Sequence, residues 1–124
     1  EKRFKNKKVS LKLLTSPKLP FKNNSVDIFL CISNLHHLEN PEKYFLEFKR
    51  ILKPKGILIV LDWCTDFFIQ KLLSLWRALI TQGNSAYNLA ELEDLLNRVN
   101  LEIDYAKRVK INWKHGIMLV KAQK

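Results

Sequence analysis

The chain has 124 residues, of which 47% are hydrophobic and 27% charged, with a formal net charge of +10; that is the size and composition of one folded domain and excludes a disordered chain. Its two cysteines, Cys31 and Cys64, lie in or beside apolar runs, which excludes a disulfide framework and fits a reducing, cytoplasmic setting. The longest apolar stretch, residues 67–80, is broken by Gln70, Lys71 and Arg77 and is short for a membrane span, and the first residues hold no apolar signal-peptide core, so no transmembrane segment is expected.

Residues 1–8 concentrate positive charge at Lys2, Arg3, Lys5, Lys7 and Lys8, with Lys12 close behind. They read as a solvated basic tail ahead of a single domain over 9–124. A nucleic-acid arm would interleave aromatic residues with the charges, and only Phe4 is near, so nucleic acid is not an expected partner. Residues 9–14 alternate apolar and polar positions, as a short strand does, and Pro17, Pro20 and the polar cluster at 22–25 turn the chain. From Val26 to Ile32 the run is apolar except for Asp27, which predicts a strand buried on both faces of a parallel sheet. Asn40 and Pro41 predict a helix start, and Phe45, Phe48 and Leu52, flanked by Tyr44 and Ile51, its buried stripe. Pro54 and Gly56 are expected to end that helix. Residues 56–61 then form a second buried strand, reached by a right-handed crossover.

Thr65 or Asp66 predicts the cap of a helix reaching about Thr81, with a break at 82–85. Asn88 with Glu91 predicts a capping box on the next helix, whose inward residues are Leu89, Leu92, Leu96 and Val99. Asn100 suits the left-handed turn at its end. Alternation over 101–113 predicts one long strand with a bulge near Lys107. A turn at 112–116 returns the chain through residues 116–120 as an antiparallel hairpin.

Ser33, Asn34, Leu35, His36 and His37 follow directly on the first buried strand, at the carboxyl edge where open α/β sheets place ligands. Asp62 ends the second strand on the same edge, where it is equally a base, a substrate contact or a helix cap. The histidines carry no metal expectation, because adjacent residues point apart and no third ligand stands at useful spacing. Trp63, Phe67, Phe68 and Trp76 cluster beyond the second strand. They read either as a pocket for a small-molecule or lipid-like acceptor or as the inner face of an amphipathic helix.

Four motifs, L-P-F at 19–21, V-D at 26–27, L-H-H-L at 35–38 and L-K-P-K-G at 52–56, resemble the second half of class I S-adenosylmethionine (SAM)-dependent methyltransferases of the type 11 kind. The resemblance implies an α/β fold: a partial Rossmann-like sheet of two parallel strands with a crossover helix, then a C-terminal antiparallel hairpin, with helices packed on the sheet. It implies SAM as cofactor and methyl transfer to a small molecule. Ser33, Asn34, Leu35 and His36 would lie along the methionine part of the cofactor, and Thr15 and Ser16 would stand where the family carries an acidic contact to adenine. His36 and Asp62 are the catalytic candidates. Asp27 would tie down neighbouring backbone, and Lys55 stands where the family has the first glycine of a pair. The family's glycine-rich turn cannot be built from Gly56, Gly83 and Gly116, which are far apart. The chain by itself is therefore expected to be inactive: a fragment, a truncated homologue or part of a split enzyme, completed by an N-terminal half or assembled as a homo-oligomer. The alternative is a non-catalytic module of the same fold, kept for partner binding or oligomerisation.

Overall fold

The structure, a computed structural model, describes residues 13, 16–67, 71–72, 75–76, 87–112 and 115–124. Among them run β1 (Val26–Ile32), a 3₁₀ turn (Leu35–His37), α1 (Pro41–Ile51), β2 (Leu52–Trp63), α2 (Leu89–Arg98), β3 (Glu102–Lys110) and β4 (Gly116–Gln123). The sheet order is β1-β2-β4-β3, with β1 and β2 parallel and β4 antiparallel to both of its neighbours. This is the parallel pair with crossover helix and terminal hairpin that the sequence implies. The short strand expected at 9–14 and most of the helix expected after Asp66 lie outside the described residues. No helix among the described residues is long and apolar enough to cross a membrane.

The helix signals act where the sequence puts them. Asn40 caps α1 by accepting from the Lys43 N–H, with Pro41 in the first turn. Asn88 and Glu91 exchange both bonds of a capping box on α2. Asn100 turns left-handed at φ 55°.

Pairing register places Phe29, Cys31, Leu58, Val60, Asp62, Met118, Val120 and Ala122 on one face of the sheet. The core formed there takes Phe45, Phe48 and Ile51 from α1 and Leu92, Leu95 and Leu96 from α2. Phe29 stacks on Phe48 with ring centroids 4.2 Å apart.

The other face differs from expectation. Ile28, Leu30 and Ile32 are 56%, 55% and 55% exposed, so β1 is buried on one face and not on both. The cause is that α1 and α2 both pack on the opposite face, where Phe29 and Cys31 join the core.

Three boundaries move as well. Helix α1 ends at Ile51, ahead of Pro54, and β2 begins at Leu52; the residue before a proline is driven out of the helical region, so the helix has already stopped at Lys53. The irregularity in β3 lies between Ile103 and Tyr105 and not near Lys107. There Asp104 accepts from Lys121 Nζ at 2.8 Å and from Gln123 Nε2 at 2.8 Å. Asp27 does not tie down backbone: exposed, it pairs with Lys53 Nζ at 2.7 Å.

Lys55 lies at φ 64°, tied by its N–H to the Lys124 carbonyl. A side chain in that left-handed region crowds its own carbonyl. Lys55→Gly keeps the backbone bond and removes the strain, so it is expected to raise stability by about 1 kcal/mol, read as a higher denaturation midpoint in urea.

Candidate functional site

The carboxyl ends of β1 and β2 lie side by side, with Ile32 opposite Leu61. Immediately beyond β1, Ser33 takes φ 48° while its N–H donates to the Leu61 carbonyl at 2.8 Å. A non-glycine residue in this conformation persists only where its surroundings over-determine it, and such residues cluster at ligand sites. The turn aims the chain out of the sheet and into Leu35–His37.

Asp62 fixes that turn. It is 1% exposed, and its Oδ2 accepts the Leu35 N–H at 2.7 Å. Its Oδ1 accepts the Trp63 N–H at 2.7 Å and lies 2.7 Å from Nδ1 of His36. Both oxygens receive backbone N–H groups, and toward an ionised Asp62 the His36 Nδ1 is the donor of the pair. The negative charge is felt nearby: burial first, and then Asp62, push the Cys31 thiol up to about 11. Leu35 is fully buried, and its carbonyl accepts from Leu38, so it anchors the loop from beneath. The His36 and His37 rings lie with centroids 4.0 Å apart.

A cavity of about 340 Å³ opens beside this loop, lined by Leu19, Phe29, Leu30, Cys31, Ile32, Ser33, Asn34, Tyr44 and Phe48. Leu19 reaches it because the L-P-F segment is clamped to α1. Glu47 accepts the Leu19 N–H at 2.8 Å, and Arg50 donates to the carbonyls of Leu19 at 3.2 Å and Phe21 at 3.0 Å while pairing with Glu47. Arg50 holds the Glu47 carboxyl below the usual carboxylate range. The cavity thus joins the L-P-F segment to Ser33 and Asn34, two of the expected cofactor contacts. Ser16 is exposed, with no described hydrogen bond to the loop; Thr15 lies outside the described residues.

Two of the aromatic candidates, Trp63 and Phe67, lie against adjacent residues at the start of β4, His115 and Gly116. Trp63 is 40% exposed at the end of β2, its ring edge-on to His115 with centroids 6.3 Å apart. Phe67 packs over Gly116, where an added Cβ would fall inside its ring. Trp76 is exposed, away from the cavity lining, and Phe68 lies outside the described residues. His115 is a residue that sequence reading passed over as part of a turn. Its N–H donates to Asn112 Oδ1 at 2.9 Å, and that turn carries it to Trp63. Asp66 accepts from Leu89 N at the start of α2 and from the Cys64 thiol; the first turn that Thr65 or Asp66 is expected to cap lies at 68–70, outside the described residues. Among the described residues no group of three or more potential ligands could hold a metal.

The family model for a methyltransferase domain matches residues 1–60. An uncharacterized protein of Methanocaldococcus jannaschii is 48% identical over 72 residues, which cover 56% of this chain and 30% of that protein. The ubiquinone/menaquinone biosynthesis C-methyltransferase of Campylobacter jejuni is 29% identical over 80 residues, covering 56% of this chain and 34% of the enzyme. The chain therefore spans about a third of the length of these curated relatives. A SAM-dependent methyltransferase of Methanosarcina mazei overlays with a TM-score of 0.74 at 21% identity, over 91% of this chain and 66% of its own. The cyclase SpnF overlays with a TM-score of 0.77 at 16% identity, over 99% of this chain and 58% of its own. One fold thus serves both methyltransferases and a cyclase, and the activity has to be argued from the site. The chain has the fold of the C-terminal part of class I SAM-dependent methyltransferases, and its first 60 residues match the methyltransferase-domain family model.

Proposed function

We propose that this segment is the acceptor-facing part of an enzyme that transfers a methyl group from SAM to a small molecule. The observation that carries the reading is the left-handed turn at Ser33 together with the Asp62 carboxylate that holds the following loop, both at the carboxyl ends of the parallel pair. Ligands of open α/β sheets bind outside those ends. The cavity lining fits one side of the cofactor: apolar walls from Phe29, Leu30, Ile32 and Tyr44, with Ser33 and Asn34 as polar contacts. SAM supplies an electrophilic methyl carbon on a sulfonium. The chain's own residues shape the wall, and Ser33, Asn34 and His36 line the loop beside it. Trp63 and His115 stand at the acceptor side. The C-methyltransferase among the relatives acts in quinone biosynthesis, and an acceptor with a flat ring suits the exposed face of Trp63.

No glycine-rich turn occurs within these 124 residues, and such a turn is what lets backbone approach the rest of the cofactor. Calorimetry on the 124-residue chain is therefore expected to show no measurable SAM binding. The protein expressed from its natural start to its natural stop should bind SAM and transfer its labelled methyl group. Stoichiometric binding by the short chain would refute the incomplete-site part of the reading. Absence of binding and transfer at natural length would leave the non-catalytic module as the correct one.

A further inference from the structure

We propose that the helical residues following Phe67 dock the protein on an anionic lipid surface, with Leu72, Leu75 and Trp76 entering the bilayer interface and Lys71 and Lys110 meeting the headgroups. The proposal stands apart from the methyl-transfer reading, since it involves neither cofactor nor acceptor.

The segment is anchored at one end. Phe67 packs over Gly116 at the start of β4, and its carbonyl accepts from the Lys71 N–H at 2.9 Å. Leu72, Leu75 and Trp76, all helical, stand at i, i+3 and i+4, a spacing that puts three side chains on one face. A face of that composition ordinarily turns to the core. Here it turns outward: each of the three is more than half exposed, Trp76 the most. None of them lines the cavity beside Ser33 and Asn34.

The free charge beside that face has one sign. Lys71 adjoins Leu72, and Lys110 pairs with Gly116 across β3 and β4, next to the Phe67 anchor; both lysines are exposed. Among the described residues neither has an acidic partner. Asp66, at the same end of the molecule, is already engaged by Arg108 at 3.6 Å, the Leu89 N–H and the Cys64 thiol. The whole chain carries a net charge of +10.

A bilayer rich in acidic lipid is the surface that complements this arrangement, negative at the headgroups and apolar just beneath. Tryptophan settles at that boundary, leucine goes below it, and lysine lays its stem along the apolar side while its ammonium stays with the phosphates. A protein partner would need a complementary shape, whereas three protruding side chains on one helical face need only a soft apolar layer. No described helix is long and apolar enough to cross a membrane, so the contact is that of a segment lying on the surface.

Co-sedimentation of the natural-length protein with vesicles tests this. It should bind vesicles of equal parts phosphatidylcholine and phosphatidylglycerol and stay in solution with phosphatidylcholine alone, and added salt should weaken the binding. Leu75→Ser and Trp76→Ser should each lower partitioning by about tenfold, and Lys71→Gln by about fivefold. All three positions are exposed, so the circular dichroism spectra should stay unchanged. Tryptophan fluorescence should shift to the blue on the anionic vesicles, and the shift should shrink in Trp76→Phe. Equal binding to both kinds of vesicle, or to neither, overturns the proposal. Anionic binding that both serine variants leave unchanged also overturns it, because the basic residues at 2–8 would then hold the protein by charge alone. A natural-length dimer that Leu75→Ser converts to monomer assigns the face to a second copy and overturns it as well.

Discussion

Asp62→Ala is expected to lower the unfolding free energy by about 3 kcal/mol, the largest single-residue loss outside the apolar core. The substitution removes the acceptor of two backbone N–H groups, Leu35 and Trp63, and of the His36 ring, at a position that is 1% exposed. An orphaned buried donor loses its solvation without recompense, and two are orphaned at once. The loop also loses the tie that sets Ser33 against the end of β2. Asp62→Asn keeps one acceptor oxygen and is expected to lose about half as much. Urea denaturation followed by circular dichroism measures both. A loss below that of an ordinary surface substitution would show that water replaces the carboxylate and that the loop stands without it.

The second large effect concerns assembly. In isolation the 124-residue chain is expected to self-associate along β1. That strand is the edge of the described sheet, and one of its faces exposes Ile28, Leu30 and Ile32 by more than half. An apolar edge strand with unpaired backbone is a template for another strand, and the solved relatives carry a further third or more of chain that this one does not match. In this short chain a second copy is expected to take that place. Light scattering at roughly tens of micromolar should report a dimer or larger species. Leu30→Lys, which sets a charge on the exposed face, should return a monomer while the circular dichroism spectrum stays unchanged. A monomer in the parent chain at that concentration would mean the edge is covered.

What could be read from sequence alone divides by distance along the chain. Asn40 with Pro41, Asn88 with Glu91, and Asn100 each act on residues within one helical turn, so their roles are legible locally. The strands and their parallel or antiparallel sense followed from apolar runs and connection length. The exposure of β1 did not, because apolar content says that a strand seeks cover and not which face finds it. The irregularity in β3 was misplaced for a similar reason: Asp104 leaves the alternation to meet Lys121 and Gln123 on β4, a partner set by pairing. The candidate site was half legible. Ser33, Asn34, His36 and Asp62 were found as strand-end residues. The bond between His36 and Asp62, 26 residues apart, exists only once β1 and β2 are in register. His115 was missed because a single turn residue carries no signal until Trp63 is beside it.

The position of β4 has a consequence for how the molecule reaches its native state. β4 is the last strand in the sequence yet sits between β2 and β3, so β2 and β3 never touch, and all their communication passes through it. The contacts from β3 to β4 span a short turn and form early, whereas Trp63 meets Ile117 only after a long loop has closed. Sequence separation alone thus predicts two locally assembled pieces, β1-α1-β2 and the β3-β4 hairpin, with the docking of one on the other as the slower event. Because Asp62 lies opposite Met118 across that seam, the seating of the hairpin buries the carboxylate that holds the loop. The candidate site is therefore completed in the same step that completes the sheet.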